Sequence, residues 1–137
     1  MKFFLLIVSF ISLALSKENC KNKTRNSTVT APGCYKGKLE VKGGCMNHTI
    51  SITTENFDTA IVVANWKDES TGKNYKNVFA LNSRCTFPDT IHEGDEFYFV
   101  IDSTTVQNCM VCMIYYPVPA KKLSLKIIKG LVHHNYP

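Results

Sequence analysis

After its first fifteen residues, this sequence has no second long apolar run, no linker, no internal repeat and no low-complexity tract. We therefore expect no later membrane span and a single domain over the rest of the chain. At the start, Lys2 precedes an apolar run, and the small residues Ala14 and Ser16 occupy positions that a signal peptidase recognises. The pattern predicts a secretory signal peptide at residues 1–16 and a soluble, extracellular domain at residues 17–137.

Little in the sequence indicates catalysis or cofactor binding. Of the four histidines, neither His48 nor His92 stands beside a serine or aspartate that could act as its relay partner. His133 and His134 are typical of a polar chain end. We expect a protein that is not an enzyme and binds no metal and no cofactor.

Six cysteines are the main chemical feature, at positions 20, 34, 45, 85, 109 and 112. An even number of cysteines in an exported chain favours disulfides over zinc, because oxidising surroundings remove the thiolates that zinc needs. Three sequons, at Asn22, Asn26 and Asn47, agree with export and are predicted glycosylation sites.

Most of the chain alternates between apolar and polar residues with the period of a β-strand. Tyr35, Leu39 and Val41 alternate with lysines and a glutamate, which predicts a strand with one solvated face. Residues 59–66 are apolar on both faces in their middle, which predicts a central strand, and Gly72 is expected to close a hairpin into residues 75–81. Further strands are predicted around Ile50, over residues 96–101 with Phe97 and Phe99 in the core, and over residues 109–116. Six short strands indicate a small sandwich or barrel.

The segment after Pro119 fits two structures. Leu123, Leu125 and Ile127 alternate as in a strand, whereas Leu123, Ile127 and Leu131 are spaced as on a helix that ends near Gly130. Of the two, we favour a helix packed against the barrel.

Cys109 and Cys112 form a C-x-x-C motif. On a strand, their side chains would point to opposite faces with Cα atoms about 10 Å apart, too far for a mutual disulfide. No helix start follows Met110 to lower a thiol pKa for redox work, and no second pair with short spacing supports a zinc site. We therefore predict that each cysteine bonds to a separate partner among the other four.

The block from Cys85 through Gly94-Asp95-Glu96-Phe97-Tyr98-Phe99-Val100 to Cys109 and Tyr116-Pro117 resembles the second half of netrin-like domains, the module of tissue inhibitors of metalloproteinases. Cys20 and the strand that begins at Cys34 are similar to the first half of that module. Secreted nematode proteins with a netrin-like fold are the relatives that the resemblance suggests. It implies a mainly β fold: a small closed β-barrel of the oligonucleotide/oligosaccharide-binding type with one or two flanking helices. It also implies a Cys20–Cys85 bridge, with Cys34 and Cys45 bonded to Cys109 and Cys112 in either order.

The inhibitors in this family chelate the zinc of their target with an N-terminal cysteine. Here Lys17, Glu18 and Asn19 precede Cys20, and this extension would block chelation. The resemblance therefore points first to a binding protein of a parasite that acts on an extracellular host protein, in an immunomodulatory role. Metalloproteinase inhibition is the alternative.

The net charge of +5 is mild, but the lysines are clustered. Lys36, Lys38 and Lys42 share one face of the first strand. A second cluster is a candidate site for sulfated glycans and consists of Lys121, Lys122, Lys126 and Lys129. Lys122 and Lys126 share one face whether this segment is a helix or a strand. The alternative is that these lysines form only a solvated face that binds no ligand. Nucleic acid is not expected as a partner, since the polyanions available outside the cell are sulfated glycans and acidic proteins.

Overall fold

The computed structural model describes residues 33–133, with side chains described up to Ile128. Seven β-strands make up most of this part of the chain: β1 (Cys34–Lys42), β2 (His48–Ile52), β3 (Val63–Lys67), β4 (Asn74–Leu81), β5 (Glu96–Ile101), β6 (Lys122–Leu123) and β7 (Leu125–His133). Three short 3-10 turns, at Gly44–Met46, Thr59–Ile61 and Arg84–Thr86, are the helical elements of the described residues. The mainly β prediction is confirmed.

All seven strands belong to one sheet, whose main path runs β3-β4-β2-β1-β5-β7. Every pair along this path is antiparallel. β6 lies off the path and pairs with β4 in parallel, through Ala80 with Lys122 and Leu81 with Leu123. Because the main path is open, the predicted closed barrel is not confirmed.

The core lies on one face of this sheet and follows from the period of two. Leu39, Ile50, Phe79, Phe97 and Phe99 are all fully buried. The ring of Phe99 lies with its centroid 5.5 Å from Tyr35 and 5.9 Å from Phe79. A Cβ on Gly37 would come within 2.8 Å of this ring, so the glycine leaves the space that Phe99 fills.

The β5 prediction is confirmed at both ends, and so are the solvated face of β1 and the hairpin of β3 and β4. Gly72 has φ of +73°, a left-handed conformation that glycine adopts without strain. Asp68 fixes the same turn by accepting hydrogen bonds from the hydroxyls of Ser70 and Thr71. These hydrogen bonds outweigh burial, which acts to raise the pKa of Asp68, and hold that pKa below its usual value.

Three predicted elements are wrong in kind or place. The strand predicted to be central, residues 59–66, is a 3-10 turn followed by β3, which lies at the edge of the sheet. Residues 109–116 form no strand. The helix predicted after Pro119 is also wrong, because this segment forms β6 and β7.

Hydrogen bonds explain why the segment after Pro119 is extended. The free edge of β5 pairs with β7, from Ile101 opposite Leu125 to Glu96 opposite His133. At the start of β7, the buried hydroxyl of Ser83 donates to the carbonyl of Leu125 and accepts from its amide. A helix here would leave those sheet groups without partners, which costs more than the helical spacing of three apolar residues gains.

Candidate functional site

A long segment without regular secondary structure joins β5 to β6. We call it the tethered loop, residues 102–121. Connections of this length that have no helix or strand are uncommon in compact domains and are usually functional. It contains the C-x-x-C motif and an uncharged run, since no Asp, Glu, Lys, Arg or His occurs between Asp102 and Lys121.

Two disulfides attach this loop to the sheet. Cys109 is bonded to Cys85 on the 3-10 turn after β4, and Cys112 is bonded to Cys45 in the turn between β1 and β2. The Cα atoms are 5.5 Å and 5.4 Å apart. The prediction that Cys109 and Cys112 take separate partners is therefore confirmed, although the strand on which it was based is absent.

The pairing implied by the netrin-like resemblance is wrong for Cys85. Its partner is Cys109, so it does not bond Cys20, and Cys109 does not bond Cys34. Cys34 is disulfide-bonded as well. The physical reason is that the tethered loop folds back on the turn that carries Cys85, where the amide of Cys85 also donates to the side-chain oxygen of Gln107 at 3.3 Å.

Noncovalent contacts hold both ends of the tethered loop. At its start, Asp102 accepts hydrogen bonds from the amide and the hydroxyl of Thr104, which lower the pKa of this carboxyl. Towards its end, the ring of Tyr116 lies against Gly43 so closely that a Cβ there would be 2.7 Å from the ring. Beyond Tyr116, the amide of Ala80 donates to the carbonyl of Lys121 at 2.8 Å.

The apolar side chains in the middle of the loop are exposed. Met110 and Met113 are each 98 % exposed, Tyr115 is 85 % exposed and Ile114 is 63 % exposed. Every exposed large hydrophobic side chain of the described residues lies in the range from Val106 to Tyr115. A group of exposed apolar residues on a held segment is typical of a surface that binds another molecule.

Part of this surface could be predicted from the sequence. Aromatic side chains are favoured at binding surfaces, which makes Trp66, Tyr115 and Tyr116 candidate anchors for a partner, although aromatics also fill the interior of a small barrel. Tyr115 is exposed, while Tyr116 packs on Gly43. Trp66, the other aromatic candidate, stacks on Tyr75 within the β3–β4 hairpin, with ring centroids 5.9 Å apart. The sequence did not predict that Met110 and Met113 are exposed, because residues 109–116 have the pattern of a strand that places alternate side chains in a core. The signal that could have identified them is the lack of any charge over the whole run.

The structure describes three of the four lysines of the predicted glycan site. Lys121, Lys122 and Lys126 are exposed, at the end of the tethered loop and on β6 and β7. The side chain of Lys129 lies outside the described residues. In the other cluster, Lys36 forms an ion pair with Glu96 at 2.7 Å and Lys38 with Glu40 at 3.3 Å, so much of that charge is balanced locally.

The predicted glycosylation sites differ in what the structure says about them. Asn22 and Asn26, like the predicted signal peptide and Cys20, lie outside the described residues. Asn47 is buried, and its side-chain nitrogen donates to the carbonyl of Gly44 at 3.0 Å. A glycan on that nitrogen would require the side chain to leave this hydrogen bond and turn out to solvent.

His48 follows Asn47 and is also buried, with its edge against the ring of Phe87. Its Nδ1 has no hydrogen-bond partner among the described residues. Burial lowers the pKa of His48, so the imidazole is neutral near neutral pH. His92, in contrast, is exposed and its Nδ1 lies 3.7 Å from Asp95.

Two properties of residues 33–133 bear on other classes of site. This part of the chain has no helix that is long and apolar enough to cross a membrane. It also has no group of three or more His, Cys, Asp and Glu side chains placed to hold a metal ion.

No protein-family model and no curated protein sequence matches this chain.

Proposed function

We propose that this is a secreted, non-enzymatic binding protein and that the tethered loop is the surface with which it contacts an extracellular protein. The observation that carries this proposal is the exposure of Met110, Met113 and Tyr115 on a loop held by two disulfides. Exposed apolar side chains of this kind cost free energy in water, and a partner that covers them recovers it.

The disulfides support the same proposal through entropy. A free loop would lose conformational entropy when it binds, at about 0.5–1.5 kcal/mol for each flexible side chain that becomes fixed, with a further cost for the backbone. Here Cys109 and Cys112 are fixed before any partner arrives, so the backbone cost is met during folding. Methionine between such anchors keeps a flexible, polarizable surface that adapts to a partner.

We extend the proposal to the fold and the source. Only Ser124 separates β6 from β7. β6 pairs with β4 and β7 pairs with β5, so this segment is hydrogen-bonded to two strands that lie apart in the strand order of the sheet. This arrangement supports a barrel of the oligonucleotide/oligosaccharide-binding type in which β6 and β7 act as one strand. With the netrin-like resemblance, it leads us to propose a parasite protein that acts on a host protein in an immunomodulatory role.

Expression of the full chain in insect cells tests secretion and binding together. We expect the protein in the culture medium without residues 1–16, and we expect the immobilised protein to retain a defined protein from mammalian plasma. The variant that combines Met110→Ser, Met113→Ser and Tyr115→Ser should fold normally and lose that protein, because these side chains are exposed.

A matched control tests whether apolar side chains at these positions are sufficient for binding. The variant that combines Met110→Leu and Met113→Leu keeps two apolar side chains and should retain the same plasma protein. Equal retention by the wild type and by the serine variant would contradict the proposal, since the loop would then not be the contact surface.

A further inference from the structure

The charged residues that follow the uncharged run of the tethered loop all have one sign. Asp102 is the last acidic residue of the sequence, so every charged side chain from Lys121 onward is basic or a histidine. Lys121, Lys122 and Lys126 are exposed. Within residues 33–133, none of these three lysines forms an ion pair with a carboxylate, in contrast to Lys36 and Lys38.

One carboxylate does influence this group. Asp102 and Lys126 interact electrostatically, but the oxygen Oδ1 of Asp102 already accepts two hydrogen bonds from Thr104. Against three lysines, this single, partly exposed carboxylate leaves an excess of positive charge where the loop meets the sheet.

The apolar side chains and the lysines are held by the same framework. Disulfides to Cys45 and Cys85 fix the middle of the loop, whereas pairing of β6 with β4 fixes Lys122 beside Ala80. The order along the chain is therefore an exposed apolar group followed by a basic group, and both are attached to one sheet. A surface built in this way recognises two chemical features of a partner at once.

We infer that the partner is a protein with an apolar cleft whose rim carries Asp or Glu side chains. This inference rests on the proposed function and adds the chemistry of the partner. The apolar group of Met110, Met113, Ile114 and Tyr115 enters the cleft, and the three lysines face the acidic rim. A few protruding side chains fit a cleft of this kind, whereas the amphipathic helices that lie on membranes present a longer apolar face.

Selection from a random peptide library displayed on phage tests this inference with a defined probe. The bait is the full secreted chain, and the library is first depleted on the variant with Met110→Ser, Met113→Ser and Tyr115→Ser. Clones that survive should combine apolar residues with neighbouring Asp or Glu. Their synthetic peptides should bind the wild type in a way that weakens as the salt concentration rises.

Two lysine variants give the decisive comparison. Replacing Lys121, Lys122 and Lys126 by Gln should weaken binding of these peptides by about tenfold, through loss of charge pairing at the rim. The control replaces three lysines on the β3–β4 hairpin by Gln, namely Lys67, Lys73 and Lys76, which are also exposed. It removes the same charge and should change binding by less than about twofold, the size of a small rim effect.

The other outcomes each overturn the inference in a recognisable way. Loop-dependent peptides without acidic residues, or equal weakening by both lysine variants, would reject the acidic rim and leave the proposed function standing. Loop-dependent sedimentation with vesicles of phosphatidylcholine and phosphatidylserine would assign the surface to membranes. Retention on heparin that depends on Lys121, Lys122 and Lys126 but not on the loop would assign the lysines to sulfated glycans. Failure to recover any loop-dependent peptide, together with a failed plasma experiment, would reject the proposed function itself.

Discussion

The core of the sheet and the tethered loop both contain large apolar residues, but those of the core are buried and those in the middle of the loop are exposed. Phe79, Phe97 and Phe99 are fully buried, and the ring of Phe99 lies near each of the other two, whereas Met110 and Met113 are almost fully exposed. The core is held by packing and by strand pairing. The loop is held by two covalent bonds and a few polar contacts.

This difference indicates that the exposed methionines of the loop contribute little to folding. Burial of a large apolar side chain contributes about 1.5–3 kcal/mol to stability, and the exposed methionines contribute almost none of this. Disulfides take over the structural task in the loop, which leaves its side chains available for a partner. The comparison can be tested by weakening each kind of support in turn.

The largest effect is expected in the core. Phe99→Ala should lower the free energy of unfolding by about 3–5 kcal/mol, since it removes a buried ring and leaves a cavity. The control Met113→Ala should lower it by less than about 0.5 kcal/mol, because that side chain is exposed. Urea unfolding monitored by circular dichroism measures both. Similar losses for the two variants would contradict the division between core and loop.

The second effect concerns the covalent support. Replacing Cys45 and Cys112 together by Ser should lower the free energy of unfolding by about 2–4 kcal/mol, because the unfolded chain gains freedom. The matched replacement of Cys85 and Cys109 should cost less, since the bond closes a separation of 24 residues instead of 67. Unfolding of the oxidised proteins in urea checks the order. The reverse order would show that the bonds act mainly through native contacts.

A smaller effect is expected where the loop contacts the turn between β1 and β2. Gly43→Ala places a methyl group against the ring of Tyr116 and the carbonyl of Asn47, so it should destabilise the fold by about 1–3 kcal/mol. Gly44→Ala is the control, since a Cβ at Gly44 meets nothing within 4 Å. Thermal unfolding compares the two. Equal melting temperatures would mean that the loop moves away from the turn at little cost.

The smallest effect near neutral pH is expected from His48. Burial, assisted by Lys42 and Arg84, lowers its pKa below the ordinary value of 6.5, and the charges of Asp89 and Glu93 oppose this shift. Below pH 6.5 the unfolded chain therefore binds a proton that the folded chain does not. Stability should be complete above that pH, and it should decrease as the pH falls towards the lowered pKa of the folded state.

Urea unfolding at several pH values, with two variants, isolates this contribution. His48→Leu removes the buried imidazole and should flatten the dependence of stability on pH below 6.5. His92→Gln removes an exposed histidine and should leave that dependence in place. An unchanged dependence in His48→Leu would assign the effect to another group.

The strands with strong local patterns could be predicted, and those decided by neighbours could not. β1 alternates cleanly and β5 begins after a glycine turn, and both were placed correctly. Residues 59–66 look central because both faces are apolar, but Val63–Lys67 lies at an edge where only β4 pairs with it. Position within a sheet depends on partners far along the chain, which a local pattern does not encode.

For the candidate site, the sequence identified the cysteines and Tyr115 but not the surface that they create. Strand propensity at Val111, Ile114 and Tyr115 favoured a buried strand. The cysteines indicated disulfides in this segment, but they did not show that it would form a loop outside the sheet. The lysines were recognised as a group, yet only the fold shows that Lys36 and Lys38 have ion-pair partners while Lys121 and Lys122 have none among the described residues.

By itself, the sequence determined the β-rich class and the use of cysteines in disulfides, because alternation and cysteine number are local properties. It also predicted separate partners for Cys109 and Cys112, although the strand that suggested this is absent. The tertiary structure decided which cysteines pair, that the segment after Pro119 is extended, and that the apolar residues of the loop face outward. Each of these depends on groups distant in sequence: Cys85 must meet Cys109, the free edge of β5 must find β7, and Gly43 must receive Tyr116. Such contacts form only when the chain closes on itself, and the entropy cost of that closure is balanced by the whole fold and not by any single segment.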